Sequence, residues 1–421
     1  MPEPEPKPTL ASRIRRLPWA VIRIVALALL LLVLILMCIV LETARLKHGR
    51  KHSRDDATYH QSIVDEVNLA IGSTWKAEYN KFASKSTDYT SVRPTDAALK
   101  RNLDLVFENW ERAAKDHLQQ LIKVEVDLPE SFDARVQWPL CWSVHDVPNQ
   151  GGCGSCWAMS ATAVMSDRIC IQSNGTQQPQ ISAEDLTACC QLCGGCRGAI
   201  TGLAAFDYWR RKGLVTGGGY GSSEGCKPYS ISTDCGQPCP VLHYEQSTTP
   251  SCTTHCNKLY SHDYIQDKYF ASTVYAITVD ELVRSIKDVM SHLFEHWPNH
   301  SSPANLTNLI KKELKLYGPV LGCFSVYEDF QHYRSGVYTH IAGEELYGHC
   351  AKMIGWGSEN GTDYWLFTNT WGRTWGENGH FRLSAASLPE EVIAGIPKLN
   401  RRQSDIFRYL IGEQDIISTK F

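Results

Sequence analysis

The stretch "NQGGCGSCWAMS", residues 149–160, carries Cys153 and Cys156 in a C-x-x-C spacing, among glycines and beside Trp157. Three chemistries use that spacing: a dithiol redox pair, half of a zinc site, or a structural cysteine next to a reactive one. Each predicts a different protein, and the rest of the chain separates them.

Cysteine usage narrows the compartment. Of the 16 cysteines in 421 residues, 11 fall between Cys141 and Cys239, with Cys252 and Cys256 close behind. Such density signals disulfides in an oxidising compartment. A multi-zinc module would want well-separated pairs, and Cys190, Cys193 and Cys196 are too compressed for that, so neither a metal nor any other cofactor is expected. The net charge of −3 gives no reason to expect a nucleic-acid partner.

Near the N-terminus an unbroken apolar run, Ile24–Leu41, is long enough to span a bilayer, and Trp19 sits where an interfacial aromatic belongs. No small-residue cleavage pattern follows it, so a signal-anchor is expected over 18–41, with a cytosolic tail at 1–17 and a basic linker at 42–56. Basic residues balance on the two sides. Orientation therefore rests on the cysteines and on four glycosylation sequons, at Asn174, Asn299, Asn305 and Asn360, which together place the large C-terminal part in the lumen or outside.

Between His60 and Leu121 there is no cysteine, and "SIVDEVNLAIGSTWKAEYNKF" and "ALKRNLDLVFENWERAAKDHLQQLI" space their apolar residues as helices do. Residues 155–172 then read as a buried helix, and Ser182 as the N-cap of another. From about Lys258 the pattern turns to short β-type runs bounded by glycine, such as "CAKMIGWG" and "DYWLFTNTWG". A helical half followed by a strand-rich half predicts an α+β fold of two lobes.

A redox C-x-x-C follows a buried strand, and "QWPLCWSVHDVPNQGG" is not one. The remaining reading gives the two cysteines separate roles: Cys153 as half of a disulfide, Cys156 as a nucleophile where a helix begins. Backbone N–H groups and the positive end of the dipole favour a thiolate there. A base is still required, and something to orient the base. The strand-rich half supplies His349 in "YGHCAKMIGWG" and Asn369, followed by Trp371, in "FTNTWGRTWG".

The order Gln150, Cys156, His349, Asn369-x-Trp371 resembles the papain-like cysteine proteases, and within them the cathepsin B-like group. The resemblance runs through "LPESFDAR", "CGSCWA", "SAEDLTACC", "GHCAKMIGWG" and "EEVIAGIP". It implies a papain-like two-lobe fold, with a helical left lobe and a β-barrel-like right lobe, over 128–400. It further implies an inhibitory helical propeptide over 57–127, which leaves 401–421 as a tail. Cys156 would be the nucleophile, His349 its acid–base partner, Asn369 the orienting acceptor and Trp371 a shield. Gln150 and the Cys156 N–H would form the oxyanion hole. The implied substrates are peptides and proteins, the implied inhibitor is the chain's own propeptide, and the setting is a monomer in the endomembrane or lysosomal lumen. The resemblance also implies the disulfides Cys141–Cys170, Cys153–Cys196, Cys189–Cys252, Cys190–Cys193, Cys226–Cys256 and Cys235–Cys239.

Three departures qualify it. The stretch "STDCGQPCPVLHYEQSTTPSC" lacks the adjacent histidines with which the cathepsin B-like group holds a substrate's C-terminal carboxylate, so endopeptidase activity with weak dipeptidyl carboxypeptidase activity is expected. Ala199 follows Gly198 where the family has a second glycine for substrate backbone. The resemblance places Cys323 and Cys350 in the pocket for the second residue before the cleaved bond, where the family often has small apolar residues, with Glu391 at its floor to pair with arginine, and it counts Gly348 among the substrate-binding residues. Whether those two cysteines are free thiols or bonded to each other stays open. An insertion around 285–308 has no counterpart. A silent homologue acting as a binding protein and a thiol acyltransferase are the competing readings.

Overall fold

Residues Cys156–Gln172 form the helix around which the fold is built, α3 in the numbering used below. Almost every side chain on it is buried, from Trp157 through Ile171, so it is enclosed on all faces instead of carrying one apolar stripe. The computed structural model describes residues 19–53, 57–80, 116–199, 201–233, 248–278 and 303–399. The expected Cys235–Cys239 pair, Asn299, most of the insertion, and the 1–17 and 401–421 tails lie outside these residues.

The chain divides into two units, Met1–Asp56 and Ala57–Phe421. The first holds α1, Trp19–Ser53, within which Arg23–Leu41 has a mean hydropathy of 3.6 and is long and apolar enough to cross a membrane. The helix continues through 42–53, where a linker was expected. "ETARLKHGRKHS" lacks proline, and its Glu, Ala, Leu, Lys and Arg residues are good helix formers that outweigh the single Gly49.

The second unit opens with α2, Ala57–Leu69, and β1, Trp75–Ala77. The sequence pattern suggested one helical stretch here. The helix instead stops before Gly72, which has φ +81°, and the chain extends to pair with a neighbouring sheet. After the short β2, Phe132–Asp133, come α3, α4 (Ala183–Cys189) and α5 (Leu203–Lys212). Ser182 caps α4 by accepting the Asp185 N–H at 2.9 Å. The strand-rich half follows: β3 (Phe270–Thr278), α6 (Pro303–Tyr317), β4 (Val320–Tyr327), β5 (Tyr333–Tyr338), β6 (Glu345–Glu359), β7 (Thr362–Thr368), β8 (His380–Ser384) and β9 (Glu391–Lys398).

The sheet order is β1-β5-β8-β7-β6-β4-β9-β3, with β2 also paired to β6. All pairs are antiparallel except β5 with β8. β1 comes from the segment upstream of 128, and it extends the sheet edge at β5. A Cβ on its partner Gly336 would come within 2.6 Å of the Trp75 Cα, so only glycine lets this strand approach. Trp75 is buried beside Tyr333 and Tyr338 and donates its indole N–H to Thr339 O at 2.9 Å.

Buried ion pairs tie α3 to its surroundings. Arg168 donates to Glu313 on α6 at 2.7 Å, and Asp167 meets Lys352 on β6 at 2.9 Å. Glu313 also receives His117 Nε2 at 3.1 Å, from the helical turn at 116–123. Removing one partner of such a pair strands the other charge, so these contacts set the seating of α3 more than they add net stability.

Candidate active site

Cys156 opens α3 behind Ser155, whose hydroxyl bonds Tyr229 OH at 2.7 Å instead of capping the helix. The first-turn N–H groups of α3 are thus left without a side-chain cap beside the sulfur. Gly154 makes this start possible: its N–H donates to Cys196 O at 3.0 Å, and a Cβ there would stand 2.6 Å from that oxygen. The Cys153–Cys196 disulfide fixes the same approach, and Cys156 stays a free thiol. The two cysteines of the opening motif therefore do have separate fates.

His349 projects from β6 and Asn369 follows β7, the two strands being hydrogen-bonded neighbours. His349 Nε2 and Asn369 Oδ1 are 2.8 Å apart, and both residues are buried. The Thr370 N–H also donates to Asn369 Oδ1, at 2.7 Å, which holds the amide with its oxygen toward the imidazole. His349 must then donate from Nε2, leaving Nδ1 as the basic nitrogen. Trp371 packs on the ring with centroids 4.8 Å apart, and Phe324 meets it edge-on at 5.7 Å. Replacing Asn369 with alanine should lower kcat roughly 10- to 100-fold, the worth of one hydrogen bond to a group that becomes charged, while KM changes little. Steady-state kinetics on the variant reads that split.

Gln150 belongs to the same cluster. Its backbone N–H donates to Thr370 O at 2.9 Å, and its amide oxygen accepts the Thr370 hydroxyl at 2.5 Å. One amide N–H goes to Cys153 O at 2.7 Å, which leaves the second for a ligand. A bridge between Asn149 and Trp371 brings the two loops together.

Burial pushes the Cys156 thiol above its ordinary value, against the backbone groups of Cys350, Trp157 and Cys156 that favour the thiolate. Burial also lowers His349 to about 4, against the Asn369 hydrogen bond. Both shifts favour the neutral forms, so burial in the full-length chain works against the thiolate–imidazolium pair.

A buried histidine oriented by an asparagine, in one cluster with an unpaired cysteine at a helix start, is the constellation of thiol acyl-transfer enzymes. The description "Papain family cysteine protease" matches residues 128–394 of the chain. This chain belongs to the papain family of cysteine proteases. It is 39% identical over 349 residues to cathepsin B-like cysteine proteinase 3 of Caenorhabditis elegans, covering 80% of this chain and 82% of that one. To the cathepsin B-like cysteine proteinase of Schistosoma japonicum it is 36% identical over 350 residues, covering 80% and 90%. Among solved structures, procathepsin B S9 from Trypanosoma congolense superposes with a TM-score of 0.56 at 28% identity, covering 80% of this chain and 98% of that one. The papain-family protein described here is thus a cathepsin B-like cysteine peptidase, and proforms of such enzymes carry a propeptide bound as inhibitor.

Around this cysteine peptidase's dyad, Gly348 is exposed and Gly198 is half-buried with φ +89°. Ala199 packs against the main core, so its methyl meets protein interior. Glu391 is 3% exposed and accepts the Gly202 N–H at 2.9 Å, whereas its neighbour Glu390 is exposed. The disulfides Cys141–Cys170, Cys189–Cys252, Cys190–Cys193 and Cys226–Cys256 are formed. Cys323 and Cys350 are bonded to each other. Sequence could not decide that pair, because it depends on the register of β4 against β6. Two buried histidines that the sequence reading did not single out, His60 and His117, join the segment upstream of 128 to the domain downstream of it. Lone histidines give no signal in sequence.

Proposed function

We propose that this papain-family protein is an endopeptidase made as a membrane-anchored zymogen, with residues 57–127 as its propeptide and 18–41 as a signal-anchor. The observation that carries the catalytic reading is the 2.8 Å contact between His349 Nε2 and Asn369 Oδ1 in the cluster that holds the free Cys156. Cys156 gives its proton to His349 and attacks the scissile carbonyl carbon. The oxyanion that forms takes hydrogen bonds from the second Gln150 amide N–H and the Cys156 N–H, each donor worth about 3 kcal/mol in the transition state. His349 then protonates the departing amine, leaving a thioester. Water, deprotonated by His349, hydrolyses the thioester and restores the thiol. Trp371 keeps water off the His349–Asn369 bond, which is what lets one hydrogen bond hold the ring.

Gly198, Ala199 and Gly348 offer backbone to the substrate, and Cys323, Cys350 and Glu391 form the pocket for the second residue before the cleaved bond. The density of disulfides supports a lumenal or extracellular setting, in the endomembrane or lysosomal system. Asn174, Asn305 and Asn360 are all exposed and fit N-glycosylation, Asn360 standing with Gly361 in the turn between β6 and β7.

The stretch from 232 to 252 has no adjacent histidines to hold a terminal carboxylate, which supports endopeptidase over dipeptidyl carboxypeptidase activity. After propeptide removal, a peptide with a free C-terminus and its amidated twin should be cleaved at the same bond with kcat/KM values within about threefold, a difference under 1 kcal/mol. A strong preference for the free carboxylate contradicts this, and cleavage of neither peptide contradicts the peptidase reading itself.

A further inference from the structure

Cys323 on β4 stands directly opposite Cys350 on β6 and also opposite Glu391 on β9. Side chains paired across adjacent strands share a face, so the three form one row, Cys350–Cys323–Glu391, running across three strands. The row faces the helical half: the Glu391 carboxylate accepts the Gly202 N–H at 2.9 Å, just before α5, and Ser160 on α3 donates to Cys350 O at 3.0 Å. The two cysteines are joined, with Cα atoms 4.0 Å apart. Cys350 follows His349 in the chain, and its backbone is among the groups that favour the Cys156 thiolate. The row therefore borders the catalytic pair.

Exposure along the row is uneven. Glu391 is 3% and Cys323 is 7% exposed, whereas Cys350 is only partly buried. The most exposed member, Cys350, is next to His349 in the chain, and the buried Glu391 carboxylate, two strands further along the row, accepts a backbone N–H.

We propose that the Cys323–Cys350 disulfide is the specificity-determining element of this pocket: it covers Glu391 with a neutral, polarisable floor, so that an apolar residue is accepted and arginine is disfavoured. This rests on the pocket assignment made above and reverses the expectation that Glu391 pairs with arginine. The desolvation of a guanidinium without a carboxylate partner supplies the discrimination, while sulfur loses nothing by contact with an aliphatic side chain. Opening the bond exposes the acid. Reduction by a dithiol breaks S–S with two electrons and two protons, the dithiol closing to its own disulfide, and each cysteine retreats to a separate thiol.

The test uses the mature enzyme and two dipeptidyl coumarylamides that differ only in leucine or arginine at the second residue before the cleaved bond. The unaltered enzyme should favour leucine by about tenfold or more in kcat/KM, the range that pocket contacts supply. The Cys323→Ala/Cys350→Ala variant should shift that ratio at least about fivefold toward arginine, and adding Glu391→Gln should undo the shift. Should the variant fail to fold, the unaltered enzyme treated with dithiol until intact mass after alkylation counts those two additional thiols gives the same reading. An unaltered enzyme that prefers arginine, or a ratio that stays fixed when the bond is opened, overturns the proposal. Cleavage of neither substrate removes the peptidase reading and the proposal with it.

Discussion

Cys156→Ala in the mature enzyme is expected to lower kcat/KM for peptide hydrolysis by at least about 10⁴-fold, the scale on which removing a covalent nucleophile acts. The size of the loss follows from the arrangement of the site. Among the described residues, Cys38 is the only other free cysteine, and it belongs to the first unit, in the apolar part of α1. The substitution leaves every disulfide in place and removes one sulfur from the start of α3, so the fold should be retained. Thermal unfolding of the variant within a few degrees of the parent, together with lost turnover, separates chemistry from misfolding. A loss of less than tenfold would mean that the hydrolysis comes from elsewhere in the chain.

The propeptide of this protein is expected to loosen as pH falls from about 6.5 toward 4, and the response should be steep. His60 on α2 and His332 in the turn before β5 place Nδ1 and Nε2 3.0 Å apart, and both are buried. The other groups around His332 are the Asn80 N–H, which donates to its Nδ1 at 3.1 Å, the stacked Tyr79 ring, and the Glu78 N–H on the His332 carbonyl. The charged groups in this neighbourhood point elsewhere: Glu78 pairs with Arg334, and Glu328 accepts Tyr59 OH at 2.8 Å. Burial, reinforced by His60, drives His332 from 6.5 down to about 3.

A histidine whose docked value is depressed favours docking above its ordinary value, and that contribution is lost as pH falls through the window from 6.5 toward 3. Each unit within the window costs about 1.4 kcal/mol, so two units weaken docking roughly a hundredfold. The 116–123 turn has no such histidine pair: His117 meets the Glu313 carboxylate at 3.1 Å, so the acid-sensitive contact lies in the 57–80 segment. Limited proteolysis of the Cys156→Ala full-length chain between pH 7 and 4 measures this. Cleavage within 57–80 should accelerate steeply on acidification, and His332→Gln should flatten the dependence. An unchanged pH profile in that variant would remove the pair from the release step.

The catalytic cluster was legible in sequence because each member sits in a short motif whose chemistry is local: a thiol at a helix start, a histidine before a strand, an asparagine two residues before a tryptophan. α3 was legible for a similar reason, its apolar density allowing no exposed face. β1 was not. Trp75–Ala77 is a strand only because β5 offers an edge and Gly336 lets it approach, and neither partner lies within 250 residues of it in sequence. The bond between Cys323 and Cys350 was undecidable for the same cause, since it depends on strand register set by the whole sheet. The end of α1 was not legible for another reason: basic and polar composition marks 42–56 as a linker but does not say whether it is helical, and the helix runs on to Ser53.

The central claim is that Cys156 is a nucleophile activated by His349. Treating the mature enzyme at mildly acidic pH with a peptidyl epoxide and mapping the adduct by mass spectrometry tests it most directly. The account predicts one adduct, on the peptide containing Cys156, forming far more slowly in His349→Ala. A mature enzyme that takes no label, or takes it on another residue while Cys156 remains unmodified, would contradict it.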